Sequence, residues 1–395
     1  MVDLAATTTF VRVLSRRLLL GTVLAVAMAA ATLAPIVFGV LASELISSLG
    51  IDRWQVGMLV SASTLGGAFL SVWLGRLADR IGGRRATIAT LTVAGASLLL
   101  IGAAPGLIFM AIAASFAGIA SASSNPATNK LISTEYPTGS QGLIVGLKQS
   151  GVQIGVFLGG WLLPVFTIWW GWRWAVVPFA VIPLALAGIY WLATTHVMPT
   201  PGDAADIPSG YLPKLIYRLA VYGFMMGTGM SVLLTYLPLF AEEVFGMSQE
   251  LGGLAVAVTG LVGIAARLGW AHLAEGRLGS VPSLRIIALL AVATGVVLAV
   301  GDQLGGWSVW LAAVLTGLSG SAWNAVGMLA IIQMLPTSLA GRGSGVVLFG
   351  FLGGLSLGAP LVGWSVDTWG TYTPGWIAIT VLFAVGYFVM GLDRR

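Results

Sequence analysis

The sequence predicts an all-α integral membrane protein with twelve transmembrane helices in two pseudo-symmetric six-helix bundles. Three observations lead to this prediction: an apolar composition, apolar runs of regular length, and a repeat that relates the two halves of the chain. Of the 395 residues, 57% are hydrophobic and 8% are charged, whereas about a quarter of the residues in a soluble protein are charged. This composition argues against a water-soluble fold.

Apolar runs of roughly 17 to 25 residues recur along the whole chain, and a helix of that length crosses about 30 Å of hydrocarbon. Charged residues and turn-forming residues separate the runs. Twelve runs give the predicted transmembrane helices, numbered here in chain order: 18–42, 54–74, 86–104, 106–131, 142–164, 174–194, 215–241, 251–272, 284–301, 307–334, 343–366 and 374–392.

The basic residues predict how these helices are oriented. If both termini are cytoplasmic, 15 of the 19 basic residues lie on the cytoplasmic side, and only Arg53 and Arg173 lie outside. An excess of Lys and Arg is typical of cytoplasmic loops. We therefore expect a multi-pass protein of the cytoplasmic (inner) membrane with both termini in the cytoplasm. Tryptophans, which favour the membrane interface, mark the predicted outer ends: Trp54, Trp169, Trp170, Trp172, Trp174, Trp307, Trp369 and Trp376.

A polar, proline-containing stretch at 196–213 divides the chain. Proline removes a backbone donor and clashes with the preceding turn, so a stretch with several prolines is not expected to form a membrane helix. The predicted organisation is an N-terminal six-helix bundle at 1–195, a cytoplasmic linker at 196–213 and a C-terminal six-helix bundle at 214–395.

The two halves repeat at an offset of 199 residues. Two parallel six-helix repeats imply a pseudo-twofold axis along the membrane normal and a solute path between the halves. The residues that this offset pairs include Gly118 with Gly317, Asn125 with Asn324, Gly142 with Gly341, Gly151 with Gly350, Gly155 with Gly354 and Gly159 with Gly358.

The loop between predicted helices 2 and 3 contains a motif. Residues 75–85 read Gly-Arg-Leu-Ala-Asp-Arg-Ile-Gly-Gly-Arg-Arg. This loop resembles the signature loop of the major facilitator superfamily. Residues 267–275, Arg-Leu-Gly-Trp-Ala-His-Leu-Ala-Glu, form a degenerate copy at the end of predicted helix 8, in which Ala271 replaces the glycine and Glu275 the aspartate.

The resemblance implies a twelve-helix fold in which two bundles rock to expose a site to one side and then to the other. It also implies that Asp79 faces the N-terminal end of predicted helix 11, near 341–343, where the helix dipole favours an anion. Breaking that contact would accompany opening toward the cytoplasm. The residues that we expect to form this gate are Gly75, Asp79, Arg80, Arg84, Arg267 and Glu275.

Predicted helix 5 has glycines at Gly151, Gly155 and Gly159. Glycines four residues apart share one helix face and allow close packing of another helix. The run also resembles the glycine-rich signature of antiporters in the same superfamily, but Val156 stands where that signature has proline. The departure weakens the inference of antiport.

Polar residues inside the predicted spans indicate where a solute binds, because unpaired charge in hydrocarbon costs several kcal/mol. Lys148 is too deep in helix 5 for free solvation, although snorkelling to the inner surface is an alternative. All fourteen acidic residues fall in loops or near helix ends, and a lysine with amides but no acid suits an anionic or neutral hydrogen-bonding solute. The predicted substrate-binding residues are Lys148, Asn125, Asn129, Gln149, Gln153, Asn324 and Tyr236.

These features predict a secondary transporter that takes up a small anionic solute with protons as the coupling ion. One alternative is efflux of drugs or metabolites by proton antiport, and another is a membrane receptor or scaffold that does not transport. The expected partners are a small-molecule substrate, protons and the lipid bilayer. We expect no enzymatic activity, no catalytic residue, no metal site, no cofactor, no ATP hydrolysis and no nucleic-acid binding, since neither a metal-ligand cluster nor a catalytic constellation can be assembled.

Overall fold

The computed structural model describes residues 4–68, 70–136, 141–194, 211–335 and 337–392, without the side chains of 4–17, 66, 68, 72, 141–143, 146, 332 and 337–342. Most of the predicted linker at 196–213 therefore lies outside the described residues. The described residues up to 194 form ten helices: α1 (Leu4–Ala31), α2 (Leu33–Val40), α3 (Ala42–Leu49), α4 (Arg53–Ala68), α5 (Ser71–Ile81), α6 (Gly83–Ala103), α7 (Leu107–Glu135), α8 (Gln141–Trp170), α9 (Trp172–Ala175) and α10 (Val177–Ala193). Those from 211 onward form eight: α11 (Lys214–Phe245), α12 (Gln249–Glu275), α13 (Ser280–Ala299), α14 (Gly301–Leu304), α15 (Trp307–Leu318), α16 (Trp323–Met334), α17 (Thr337–Trp369) and α18 (Thr373–Val389).

The helices agree with the predicted all-α membrane fold. Among the described residues, nine segments are long and apolar enough to cross a membrane, and α1 with α2, bent by 47°, adds a tenth. The shorter apolar helix α18 and the pair α4 and α5 occupy the two remaining predicted spans. The arrangement is therefore consistent with twelve spans. The helices also extend beyond several predicted ends, because polar residues continue a helix outside the hydrocarbon.

Glycine faces bring helices into backbone contact at the same place in each half. A Cβ atom added to Gly155 of α8 would lie 3.2 Å from the carbonyl oxygen of Ala29, and one added to Gly354 of α17 would lie 2.8 Å from the backbone nitrogen of Thr228. Gly155 and Gly354 are paired by the 199-residue offset. The prediction that the glycine face of α8 allows close packing is confirmed, and the repeat extends to the matching contact of α17 with α11.

We call the end of the bundle that holds Arg53 the outer end and the end that holds Asp79 the inner end. At the outer end, Arg53 of the first half forms ion pairs with two carboxylates of the second half. Its Nη2 and Nε atoms lie 2.7 Å and 3.2 Å from the carboxylate oxygens of Glu243, and its Nη1 atom lies 3.1 Å from Oδ1 of Asp367. We call these three residues the outer clamp. A bidentate arginine with a second carboxylate is a strong pairing, so it ties the two halves together at this end.

Three further hydrogen bonds support this closure. The backbone N–H of Trp54 donates to Oδ2 of Asp367 at 2.9 Å, and the hydroxyl of Tyr372 donates to Oε2 of Glu243 at 2.7 Å. Burial and the Glu243 carboxylate raise the pKa of Tyr372 well above its usual range, so the phenol stays protonated and donates. About two helical turns further in along α4, the Ser61 hydroxyl donates to the carbonyl oxygen of Ser356 in α17. The outer end is closed.

The glycine contact of α17 can be tested by adding a single methyl group. We expect Gly354→Ala to lower the Tm of the purified protein by roughly 2–4 °C, because the methyl group must displace backbone of α11. Gly345→Ala, on the same helix but facing open space, is the matched control and should leave Tm unchanged or slightly raised, since alanine reduces the entropy of the unfolded chain. Equal effects of the two substitutions in thermal unfolding would contradict the assignment of the contact.

The outer clamp can be tested with a single reporter thiol, because the sequence contains no cysteine. In a Ser61→Cys background, we expect Arg53→Gln to raise the rate of labelling by a bulky maleimide in nanodiscs by roughly tenfold, since charge-assisted bonds between the halves are lost. Arg173→Gln is the matched control, because Arg173 bonds only carbonyl oxygens of its own half among its described partners, those of Gly102 and Ala104. Unchanged labelling in the Arg53 variant would show that the clamp does not hold the outer end closed.

Candidate functional site

Four of the predicted substrate-binding residues lie together where α7 packs against α8. The Nζ atom of Lys148 donates to Oδ1 of Asn129 at 2.6 Å, and Nε2 of Gln149 donates to Oδ1 of Asn125 at 3.3 Å. Asn125 and Asn129 are one turn apart on α7, so they present amide oxygens at two successive levels. We call these four residues the lysine–amide cluster.

Lys148 is buried inside the membrane-spanning part of the protein. Its side chain is 1% exposed, and it lies about 10 Å along α8 from Gln141. Asn129, the partner of its ammonium group, is exposed. The cluster therefore has an exposed side at Asn129, whereas the Lys148 side chain is buried and does not snorkel to the inner surface.

Arg267 of α12 connects this cluster to the second half of the chain. Its Nη1 atom donates to the backbone oxygen of Gln149 at 3.0 Å, and its Nε atom donates to the backbone oxygen of Ser321 at 2.8 Å. The sequence predicted a gating role for Arg267. The structure places it beside the predicted substrate-binding residues, at a point where the two halves meet.

Small residues of α12 make this approach possible. A Cβ atom added to Gly263 would lie 2.8 Å from Oε1 of Gln153 and 2.9 Å from Cβ of Ser321. Gln153 of α8 is 3% exposed, and its Oε1 atom has no hydrogen-bond partner. The site therefore contains a buried acceptor oxygen that requires a donor from elsewhere.

The span predicted at 307–334 is present as one membrane-crossing segment, Trp307–Ile331, but two helices form it. α15 ends at Leu318, α16 begins at Trp323, and the break frees backbone oxygens that an unbroken helix would use internally. The freed oxygen of Leu318 accepts from the indole N–H of Trp270 at 2.8 Å, as that of Ser321 accepts from Arg267. A broken helix of this kind places polar backbone at membrane depth.

Asn324 lies in the first turn of α16, directly after this break. It is half-buried, and its Oδ1 atom has no hydrogen-bond partner. Asn324 and Gln153 thus provide one unsatisfied acceptor oxygen from each half of the chain. Both were predicted to bind substrate, and that role remains a prediction.

The electrostatic character of the site comes from two cations, buried Lys148 and half-buried Arg267. They come from different halves of the chain, and Arg267 bonds the backbone oxygen of Gln149, the residue next to Lys148. The ion pairs between described side chains involve other residues, Arg53 at the outer end and Lys130 at the inner end. A desolvated cation without a carboxylate partner is costly, and a bound anion offsets that cost.

Tyr236 lies apart from the lysine–amide cluster, at the outer end. It is fully buried, and its hydroxyl lies 2.8 Å from the backbone oxygen of Arg53 and 2.9 Å from that of Ala359. In this conformation its hydroxyl is engaged in closing the outer end.

The signature loop lies at the inner end, between α5 and α6. Gly82 has a φ of +83°, which a glycine adopts without strain. A Cβ atom added to Gly83 would lie 2.6 Å from Cα of Leu131, so this glycine lets α6 start in contact with α7. The structure thus explains why two positions of the motif, 82 and 83, are glycine.

The predicted gate residues are arranged around this loop and at the end of α12. The Asp79 carboxylate lies 3.4 Å from Nζ of Lys130 on α7, and Gly75 faces open space. Arg80 and Glu275 are exposed, and Arg84 is half-buried. The side chains of 341–342, near which Asp79 was expected, lie outside the described part of the chain, so the gate remains a prediction.

Sequence reasoning missed the outer clamp and the acceptor role of Ser321. The clamp residues are ordinary loop-end charges in the sequence, and nothing there shows that they meet across the two halves. The break before Trp323 had a signal, because the run Gly317, Ser319, Gly320 and Ser321 is rich in residues at which helices kink.

Comparison with known proteins places the chain among transporters. Residues 18–354 match the profile of the Major Facilitator Superfamily. The gallate transporter of Pseudomonas putida is 27% identical over 59% of this chain and 53% of its own length, and the gentisate transporter of Corynebacterium glutamicum is 26% identical over 51% and 48%. The chain thus matches about half the length of these two relatives.

A solved structure shows the same fold over nearly the whole chain. A bacterial homologue of the human lysosomal transporter Spinster, in an inward-facing and occupied conformation, superimposes with a TM-score of 0.74 at 16% identity, covering 95% of each chain. The family and these relatives are transporters rather than enzymes, which confirms that prediction. The chain is a multi-pass membrane protein and belongs to the Major Facilitator Superfamily.

Proposed function

We propose that this protein takes up a small aromatic carboxylate and that Lys148 binds the carboxylate group. The observation on which this proposal rests is the pair of cations, buried Lys148 and half-buried Arg267, with no acidic partner among the described side chains. A cationic drug would be repelled by such a site, since exporters of cations need a counter-charge.

The relatives favour an aromatic acid over other anions. Gallate and gentisate are hydroxybenzoates, each with one carboxylate and several hydroxyl groups on a ring. Such a solute matches the site on two counts: its carboxylate suits Lys148 and Arg267, and its hydroxyl groups are donors for the unsatisfied oxygens of Gln153 and Asn324.

Lys148 and Arg267 would act differently toward the solute. Lys148 has one described partner, Asn129, so its ammonium group retains donors for a carboxylate. Arg267 uses two donors on backbone oxygens and so holds α8 and the broken helix together. Release of the Gln149 oxygen by Arg267 would separate the halves at this level. The protein would thus have two arrangements, one in which Arg267 bonds the Gln149 oxygen and one in which it does not. We propose that the solute anion stabilises one of them over the other.

The conformation described here would then be open toward the inner end. Its outer clamp is made and the lysine–amide cluster is reached from the side of Asn129. With both termini in the cytoplasm, as the basic residues predict, the inner end faces the cytoplasm. Alternating access would require the clamp to break while the inner gate around Asp79, Gly75, Arg80 and Glu275 forms.

Accumulation of an anion in a cytoplasm at negative potential requires a coupling ion. Moving one negative charge inward against 100 mV costs about 2.3 kcal/mol. Co-transport of one proton makes the net charge moved zero and removes this cost. Co-transport of two protons makes the net charge positive, so the potential then favours uptake. We therefore propose proton-coupled symport, with a cytoplasmic membrane as the site of action.

Removing the charge of Lys148 should weaken substrate binding without unfolding the protein. We expect Lys148→Gln to weaken the binding of 4-hydroxybenzoate at least tenfold, as read from its effect on Tm, and to lower uptake into proteoliposomes to the same degree. The Tm without ligand should hardly change, because an unpaired buried charge is removed rather than created.

Arg277→Gln, which removes the same charge at an exposed position after α12, is the matched control and should bind and transport as the wild type does. Wild-type uptake by the Lys148 variant would refute the role of this lysine. Transport of cationic dyes that survives in the variant would instead identify an exporter.

Proton coupling is tested by imposing gradients on proteoliposomes. With acid outside and no membrane potential, we expect 4-hydroxybenzoate to accumulate above equilibrium, and collapsing the pH gradient with a protonophore should abolish accumulation. A second set of vesicles with the potential clamped at several values gives the net charge moved. Accumulation that ignores the pH gradient but follows a sodium gradient would exclude protons as the coupling ion.

A further inference from the structure

A cavity of about 390 Å³ lies between the inner ends of α11, α13 and α18, away from the lysine–amide cluster. Its wall includes Arg218 of α11, Arg285 of α13 and Tyr387 of α18, and none of the described residues that line it is acidic. The cavity belongs to the second half alone. Arginines that line a pocket favour an anionic ligand.

Arg285 is arranged to bind such an anion. Its guanidinium group lies over the ring of Tyr387, 4.2 Å from the centroid, so the ring fixes the plane of the guanidinium group and leaves its N–H edge for a ligand. The Nε atom of Arg285 is buried and has no hydrogen-bond partner. A buried donor on a charged group without an acceptor indicates a missing partner.

Space beside this arginine is kept open by a glycine. A Cβ atom added to Gly391 would lie 3.4 Å from Cζ of Arg285. A larger side chain at that position would fill the space next to the guanidinium group.

The depth of the two arginines matches the level of lipid headgroups. Arg218 lies four residues into α11 and Arg285 five residues into α13, which corresponds to about 6 Å and 7.5 Å along the helices. Both helices begin at the inner end. Arginines so close to helix ends that enter a membrane are at the phosphate level of the bilayer.

Apolar side chains continue from the cavity along the lipid-facing side of α13. Ile286 and Leu289 line the cavity and are 36% and 49% exposed. Leu215 of α11 adds to the apolar wall. The cavity therefore combines a cationic end with an apolar surface that runs toward the membrane interior.

We propose that this cavity binds an anionic phospholipid, with the lipid phosphate at Arg285 and Arg218 and an acyl chain along Ile286 and Leu289. Free phosphate shares the headgroup chemistry but would leave the apolar wall unused. Cation-rich pockets between membrane helices on the cytoplasmic side suit anionic headgroups. The proposal does not depend on the solute that the protein transports.

The test uses delipidated full-length protein in neutral detergent. Phosphatidylglycerol, phosphatidylcholine or inorganic phosphate is added, and bound lipid is counted by native mass spectrometry while Tm is recorded. We expect phosphatidylglycerol to raise Tm and to bind about fivefold more tightly than phosphatidylcholine. Inorganic phosphate at millimolar concentration should have no effect.

Arg285→Gln should remove one bound phosphatidylglycerol and at least half of the Tm shift. Arg277→Gln, which loses the same charge outside the cavity, should bind as the wild type does. Gly391→Leu keeps both arginines but fills the cavity, so this variant should lose the same lipid. Because its arginines are intact, such a loss cannot be attributed to misfolding caused by removing Arg285. Unchanged lipid binding in both variants, or an equal Tm shift with inorganic phosphate, would overturn the proposal.

Discussion

Lys148, which is buried, and Arg267, which is half-buried, lie inside the membrane-spanning part of the protein, where no described carboxylate compensates their charge. A cation in such a place is maintained only by hydrogen bonds to neutral oxygens or by a bound anion. The amide oxygen of Asn129 and the backbone oxygens of Gln149 and Ser321 supply the first. The requirement for a bound anion explains why the site is polar on both sides of the contact between the halves.

The architecture around the two cations follows from the same requirement. Glycines let α8 approach α1 and α12, so that polar groups of α8 and α12 come within hydrogen-bonding distance. The break between α15 and α16 frees the backbone oxygens that receive Arg267 and Trp270. The outer clamp then closes the site from the outer end, and its own charges lie at the helix ends, where they remain partly hydrated.

Much of the fold could be predicted from the sequence, because the length and spacing of apolar runs reflect membrane thickness directly. The offset of 199 residues identified the paired glycines, and the structure shows why glycine is needed at Gly155 and Gly354. The cluster of Lys148, Gln149, Asn125 and Asn129 could be predicted as a set of polar residues on two helices, but their pairing could not. Which amide contacts the lysine depends on how the two helices are rotated about their axes, and this rotation cannot be inferred from one sequence alone.

Contacts between the halves were the main part that the sequence did not predict. Arg53, Glu243 and Asp367 are separated by long stretches of chain, and each alone is typical of a solvated helix end. Arg267 was interpreted through its motif, and only the structure shows that it bonds the backbone next to Lys148. The break at 319–322 was overlooked because the whole segment that contains it, Trp307–Ile331, is apolar enough on average to be taken for one continuous span.

The central claim is that Lys148 and Arg267 select for negative charge on the solute, and equilibrium binding tests it most directly. The affinities of 4-hydroxybenzoate and of its neutral amide, 4-hydroxybenzamide, are measured for the wild type and for Lys148→Gln. The four values form a thermodynamic cycle in which the charge of the ligand and the charge of residue 148 are each removed in turn. The wild type is predicted to prefer the carboxylate at least tenfold, and the variant should lose most of that preference. A preference for the carboxylate that is the same in both proteins, or a wild type that binds the amide equally well, would contradict the claim.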